Sequence, residues 1–243
     1  MVPVRTVGVA VPMRTVGVAA ALGLVWLTGL AAWGVAGGDE LKGIQIDKDK
    51  KIVYVDAKVA PRKLEHLKGE IYPIEVVASL PYPAGKKAHE TVVTIDAKPS
   101  DVHRALVSLG LQPGAPIFGD SKDKARGPEI RIGVDVKQPD GTSKRIPLER
   151  LMVDIKTNKQ FPKGVKFFFT GSVEVQPDPT KPDKVYGADD TGTLIAIFPV
   201  TDKTVLQSSL TMAEEKYLKL EVNKQVLPAE GTPVKLVLEV VGR

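Results

Sequence analysis

Residues 91–111 read TVVTIDAKPSDVHRALVSLGL, a strand pattern followed directly by a helix pattern. β-Branched residues dominate Thr91–Asp96, as is typical of strands. Pro99 then suits the first turn of a helix, and Gly110 suits its end. Between them the apolar residues recur at helical spacing: Val102, Ala105, Leu106 and Leu109. The stretch therefore predicts a strand over 91–96 and a helix over 99–110 that packs one side against a core.

Short apolar runs between turn signals recur on both sides of this stretch and are typical of β-strands. Ile44–Ile46 and Ile52–Val55 flank a charged turn and predict a hairpin. Further strands are predicted at 71–80, 130–137, 165–175, 193–198, 218–222 and 234–241, and a short second helix at 147–153. The chain is therefore predicted to be an α+β protein. We expect a mixed, mostly antiparallel sheet with one main helix at about 99–110 and one or two short helices, preceded by an N-terminal apolar signal or anchor helix.

The sequence also suggests how some of these elements are arranged. Strand 91–96, the main helix and strand 130–137 follow one another as in a βαβ unit. The segment 165–175 contains Phe167, Phe168 and Phe169 and is predicted to be a central strand covered on both faces. Prolines fill the segment 176–184, but the strands after it are too few to cover an independent sheet. We therefore predict a single globular domain over residues 39–243.

The first 38 residues are typical of an export signal or a membrane anchor. Arg5 and Arg14 are their only charged residues, and an apolar run over 16–35 ends in the small residues 36–38. A basic start, an apolar centre and a small-residue site are the parts of a cleaved signal peptide. The alternative is an uncleaved anchor, because the run approaches the length that spans a bilayer. Both alternatives leave the arginines in the cytoplasm and predict that the rest is exported to the periplasm or cell envelope, possibly anchored to the inner membrane.

Composition excludes several classes of function. The chain has 34 basic and 29 acidic residues, and without Arg5 and Arg14 the basic count falls to 32. This small excess is scattered, and aromatic residues make up only 5% of the chain, so nucleic acid is not expected as a partner. There is no cysteine, which excludes disulfides, thiolate metal sites and cysteine nucleophiles.

Five segments carry a family resemblance. The longest is AGKKAHETVV at 84–93, and the others lie at 96–103, 109–114, 169–172 and 227–234. Together, over most of residues 41–241, they resemble the YdjY-like domain family of exported bacterial proteins. The family has no established activity, so the resemblance implies export and domain extent rather than a reaction. Some relatives carry a cysteine-rich segment suggestive of iron–sulfur clusters, which this chain lacks.

His89 and Glu90 lie within the longest of these segments, and His103 lies on the predicted helix. Imidazole and carboxylate groups are ligands for divalent metals, so His89, Glu90 and His103 are the candidate metal site. Their spacing matches no established zinc motif, and adjacent strand residues point to opposite faces. The competing interpretation is that His89 and Glu90 only fix the loop through hydrogen bonds. His66 is interpreted as a solvated surface residue.

Two further motifs are better explained as turns. Asp190-Thr191-Gly192 spells the tripeptide of aspartic proteases, but an apolar strand follows it instead of preceding it. The run Asp47–Lys51 begins like a calcium loop but has Ile52 where glycine is needed and Lys58 where glutamate is needed.

No catalytic motif stands out, and the sequence assigns no cofactor. The leading hypothesis is a non-enzymatic, exported envelope domain that binds an unknown protein or small molecule. It contacts the membrane through the N-terminal segment if that segment is not cleaved. The alternative is a metal-dependent or redox-accessory protein with its site around His89, Glu90 and His103.

Overall fold

The computed structural model describes residues 41–242. The predicted signal or anchor helix lies outside the described residues. Fourteen strands are present in this part of the chain: β1 Ile44–Asp47, β2 Ile52–Val59, β3 Val76–Ser79, β4 Thr91–Ile95, β5 Ile130–Lys137, β6 Ser143–Pro147, β7 Met152–Asp154, β8 Phe167–Phe169, β9 Glu174–Val175, β10 Val185–Tyr186, β11 Thr193–Ala196, β12 Leu206–Ser208, β13 Leu220–Val222 and β14 Pro233–Val240.

Four α-helices accompany them: α1 Pro99–Ser108, α2 Leu148–Leu151, α3 Gly187–Thr191 and α4 Met212–Tyr217. Two 3₁₀ helices lie at Glu65–Leu67 and Ala88–Glu90. Between residues 41 and 242, no helix is long and apolar enough to cross a membrane. The predicted α+β class, with one main helix and several short ones, is confirmed.

Most strands belong to one mixed sheet in the order β6-β5-β14-β2-β4-β3-β11-β12-β8, with β1 also paired to β2. Only β3 with β4 and β11 with β12 run parallel in this sheet, so the predicted mostly antiparallel pairing is confirmed. A bridge between Glu129 and Phe168 joins the residue before β5 to β8. The sheet therefore curves, so that β8, the last strand in this order, contacts the start of β5. β7 pairs with β13, and β9 with β10, in two separate ribbons.

The core lies on both faces of the centre of this sheet, because every residue of β3, β4 and β11 is buried. β14 lies between β5 and β2, and its Leu236 is opposite Val134 on one side and Val55 on the other. All three side chains are fully buried. Several residues that alternate with them face outward and form ion pairs, such as Lys235 with Asp56 at 2.7 Å. This alternation is the period-two pattern of the sequence realised in space.

The main helix forms as predicted and packs its apolar stripe against the core. Val102, Ala105 and Leu106 are buried, and Pro99 occupies the first turn. The orphan backbone N–H of Ser100 donates to Asp189 Oδ1 at 2.8 Å, so the cap comes from α3 instead of from a neighbouring residue.

Two predicted arrangements are wrong. β4 and β5 do not form a βαβ unit, because β2 and β14 lie between them. The C-terminal strand competes for the edge of β5 and pairs with it along six residues. The segment 165–175 is not one central strand either, because it is split between β8, the last strand in the sheet order, and β9 in a separate ribbon, and Phe168 is half-buried. Gly171 follows with φ +67°, a left-handed conformation that ends the strand.

Candidate functional site

His89 and Glu90 lie in a 3₁₀ turn directly before β4. The Nε2 atom of His89 is 3.0 Å from Oε1 of Glu90. The sequence suggested that these side chains point to opposite faces, but that rule applies to a strand. The strand begins one residue later, at Thr91, and the tighter turn lets the two side chains meet. The structure therefore brings two of the three candidate ligands together.

Lys87 forms ion pairs with two carboxylates beside this turn. Its Nζ atom lies 2.8 Å from Glu75 Oε2 and 2.6 Å from Glu90 Oε2. Burial alone would lower the pKa of Lys87, but its hydrogen bonds to Glu75 and Glu90 hold that pKa above its ordinary value. Burial raises the pKa of Glu75, and the nearby Glu90 acts in the same direction. We call Glu75, Lys87 and Glu90 the Lys87 cluster.

Arg62 holds the 3₁₀ turn at His89 through hydrogen bonds. Its side chain is 2% exposed, and Nε donates to Glu221 Oε1 at 2.8 Å. The two terminal nitrogens donate to the backbone carbonyls of His89 and Tyr72. One planar guanidinium thus joins the end of β2, residue 72, the turn at His89 and β13, a role that needs its several donors.

Aromatic rings cover this region on its outer side. Tyr72 meets His89 edge to face, with ring centroids 5.1 Å apart. His66 is exposed, as the sequence predicted, and its ring also stacks on Tyr82 with centroids 3.7 Å apart. Burial lowers the pKa of His89, and the charge of Lys87 lowers it further.

An open groove adjoins these rings and has a volume of about 370 Å³. We call it the His66–Tyr82 groove. Its lining is mostly apolar and contains one charged side chain: Pro61, Leu64, Glu65, His66, Pro81 and Tyr82.

His103 lies in a different cluster. Its Nδ1 atom is 2.7 Å from the hydroxyl of Tyr186, and its ring packs edge to face on Phe169. Among residues 41–242, no group of three or more histidine or acidic side chains is placed to hold a metal ion. The structure therefore pairs His89 with Glu90 and sets His103 among other partners. Metal binding by the three residues stays a prediction.

The Asp190-Thr191-Gly192 tripeptide closes helix α3. Gly192 has φ +67°, which a glycine adopts without strain. Asp190 lies 2.9 Å from Lys86 Nζ and 3.6 Å from Lys203 Nζ. A carboxylate held by two lysines has its pKa lowered, whereas a protease dyad needs one carboxyl to keep a proton. The geometry matches the interpretation as a turn.

No sequence pattern pointed to the charged residues that support the site. Arg62 and Glu221 are 159 residues apart, and Lys87 looked like half of a scattered basic pair. The only local signal was the resemblance over 84–93, which contains Lys87, His89 and Glu90. The other residues that contact this site lie on segments that are distant in the sequence.

Comparison with known proteins gives one match. A model of a protein family, described as the YdjY domain, matches residues 44–239. No curated protein and no solved structure matches the chain.

Proposed function

Because this chain belongs to the YdjY domain family, we propose that it is an exported protein of the bacterial cell envelope that acts by binding a protein partner. The His66–Tyr82 groove is the proposed contact site. The groove would receive an apolar, aromatic or proline side chain of the partner.

Export is supported by the N-terminal sequence. Residues 15–38 contain no charged side chain, and the only two charges before them are Arg5 and Arg14. An apolar segment behind a basic start prefers the bilayer to water and carries the following chain across it.

The observation that carries the binding proposal is the exposure of Tyr82 and its stack on His66. Tyr82 is 54% exposed, and its ring stacks on His66 at the wall of the groove. A large aromatic side chain that is exposed and already stacked offers contact area at low entropic cost, and such residues dominate binding energy at protein interfaces. Glu65 is the one charge in the lining, so the groove offers little to a highly charged small molecule.

Binding is favoured over catalysis because the ionisable groups beside His89 are engaged with one another. Glu75 and Glu90 share Lys87, and Arg62 is bound to Glu221 and to two backbone carbonyls. A catalytic acid or base must reach a substrate with a free proton or lone pair. These groups instead hold the turn that supports His89.

Site-specific photocrosslinking in the bacterium that makes this protein tests the partner. A photoreactive phenylalanine analogue replaces Tyr82 in the full chain. In the matched control the same analogue replaces exposed Lys144 on β6, the first strand of the sheet order. We expect one discrete crosslinked protein from position 82 that is lost when His66→Ala is added. The same products from both positions, or none from position 82, would contradict the proposal.

Export is tested separately with a single cysteine. The chain has no cysteine of its own, so Lys144→Cys gives one thiol for a membrane-impermeant maleimide. We expect labelling in intact spheroplasts. Labelling that appears only after lysis would show that the domain stays in the cytoplasm.

The metal-dependent or redox-accessory alternative is tested by native mass spectrometry of the purified full chain. A stoichiometric metal lost in His89→Ala would favour that alternative. Unchanged apo mass after incubation with divalent metals would favour binding without metal.

A further inference from the structure

Two large apolar side chains are exposed at one end of the β7–β13 ribbon. Ile155 is 62% exposed and Tyr217 is 75% exposed. The backbone N–H of Ile155 donates to the carbonyl of Lys219 at 2.8 Å, and Tyr217 lies two residues before Lys219. Single exposed apolar residues are common on proteins, but neighbouring ones indicate a contact surface.

The turn that carries Ile155 is fixed by a buried carboxylate. Asp154 is 5% exposed, and its Oδ2 accepts a hydrogen bond from Thr157 Oγ1 at 2.6 Å. Its Oδ1 accepts from the backbone N–H groups of Lys156 at 3.2 Å and Lys219 at 3.3 Å. The hydrogen bond from Thr157 holds the pKa of Asp154 below its ordinary value, so the anchor stays charged at neutral pH. The exposure of Ile155 is therefore built into the fold.

Tyr217 is supported in a similar way. It ends α4, whose first turn is closed by a reciprocal capping box between Thr211 and Glu214. At the other end, Lys219 Nζ lies 2.7 Å from Glu215 Oε1. The helix and the turn are thus both held by internal polar bonds, and each presents an apolar side chain to solvent.

The charge around these two side chains is positive. Segments 154–160 and 214–219 contain four lysines, one aspartate and two glutamates, a net charge of +1, and Asp154 is buried. Glu215 is paired with Lys219. Among the residues that the structure describes, Lys156, Lys159 and Lys216 have no carboxylate within salt-bridge distance. We call these three lysines, with Ile155 and Tyr217, the Ile155–Tyr217 surface.

We propose that the Ile155–Tyr217 surface docks the domain onto the anionic headgroups of a membrane. Tyrosine is favoured at the boundary between lipid and water, and lysines are attracted to the negative surface of an anionic bilayer. Lysine is depleted at protein–protein interfaces, so the same set of residues fits lipid better than a protein partner. The inference rests on the exported, envelope-located part of the proposed function, which places a membrane within reach.

A single fluorophore on the surface tests this inference. Ile155→Cys in the full, otherwise cysteine-free chain is labelled with an environment-sensitive dye such as NBD. The protein is then placed on vesicles of phosphatidylcholine alone or of phosphatidylcholine mixed with phosphatidylglycerol. We expect the emission to shift to shorter wavelength on the anionic vesicles only, and the shift to disappear at high salt. The dye at Val107→Cys, exposed on α1, is the control and should not respond.

Charge variants make the result specific. Adding Lys156→Gln, Lys159→Gln and Lys216→Gln should abolish the shift, whereas Lys48→Gln, Lys50→Gln and Lys51→Gln in the β1–β2 turn should leave it unchanged. An equal shift on both vesicles, no shift, or a shift caused by adding more protein without vesicles would each overturn the proposal. The protein is added to the vesicles directly, so these outcomes do not depend on export or on the His66–Tyr82 groove, which have their own tests.

Discussion

The Nδ1 atom of His103 lies 2.7 Å from the hydroxyl oxygen of Tyr186. The same oxygen accepts a hydrogen bond from the backbone N–H of Ser172 at 3.1 Å. With one lone pair of that oxygen occupied, the Tyr186 hydroxyl is placed to donate its proton to Nδ1 of a neutral His103 that carries its hydrogen on Nε2. Burial lowers the pKa of His103, in agreement with a neutral ring in the folded protein.

This pair predicts a loss of stability in mild acid. The folded state binds fewer protons than the unfolded state below about 6.5, the ordinary pKa of histidine. The free energy of unfolding should therefore rise with pH up to that value and fall as the pH drops below it. In His103→Gln, we expect the melting temperature to change less between pH 5 and 7 than in the parent chain. His66→Gln is the control, and an unchanged pH profile in His103→Gln would contradict the assignment.

Arg62→Lys should destabilise the protein strongly. A lysine ammonium cannot bind Glu221 and two separate carbonyls in the planar arrangement of Arg62, so buried acceptors lose their partners. We expect the free energy of unfolding to fall by about 3 kcal/mol in urea denaturation. Arg104→Lys, in an exposed pair with Asp101, is the matched control and should have little effect. Equal losses of unfolding free energy in the two variants would show that the hydrogen bonds of Arg62 do not stabilise the fold.

Lys87→Met should make stability depend on pH in the opposite direction from His103. Without the ammonium, Glu75 and Glu90 face each other, and the pKa of Glu75 is already raised by burial. A raised acid pKa means that the folded state holds a proton longer, so the variant should lose stability as the pH rises. We expect a loss of about 2 kcal/mol at pH 7 and a smaller one at pH 5, measured by urea denaturation. Adding Glu75→Gln should recover part of the loss at pH 7; no recovery would argue against this charge balance.

Gly85→Ala should disturb the loop before the Lys87 cluster. A Cβ atom at position 85 would lie 1.8 Å from the backbone oxygen of Leu80, so the backbone must move. We expect a loss of about 3 kcal/mol by thermal unfolding. Gly141→Ala is the control, since its surroundings are open and only its φ of +84° is unfavourable, which costs about 1 kcal/mol. A smaller loss at position 85 than at 141 would contradict the close approach.

Gln207→Leu should release the loop over 112–128. The Gln207 side chain is 1% exposed and binds both the backbone N–H and the carbonyl of Ile117, at 2.9 and 2.7 Å. An apolar side chain at this position leaves those groups unpaired, which costs about 2 kcal/mol. Limited trypsin digestion should then cut faster at Lys122 and Lys124, whereas the exposed Gln112→Leu should digest like the parent chain. Equal cleavage rates in the two variants would show that the hydrogen bonds from Gln207 to Ile117 do not hold this loop.

The accuracy of the sequence predictions differs between local and long-range features. Strand β4, the β1–β2 hairpin and helix α1 formed close to their predicted positions, because alternation, turn residues and a first-turn proline act within a few residues. The βαβ unit failed, because the edge of β5 was taken by a strand about 100 residues further on. Of the three candidate ligands, His89 and Glu90 lie together, whereas His103 contacts Tyr186.

The sequence by itself determined the fold class, the position of the main helix, the family resemblance and the predicted apolar leader. Each of these depends on the order and spacing of neighbouring residues. Only the tertiary structure decided the order of the strands, the partners of Lys87 and Arg62, and the exposure of Tyr82, Ile155 and Tyr217. The physical reason is that a side-chain period fixes which face of a strand is buried, whereas the neighbour it pairs with depends on competition among all segments of the chain.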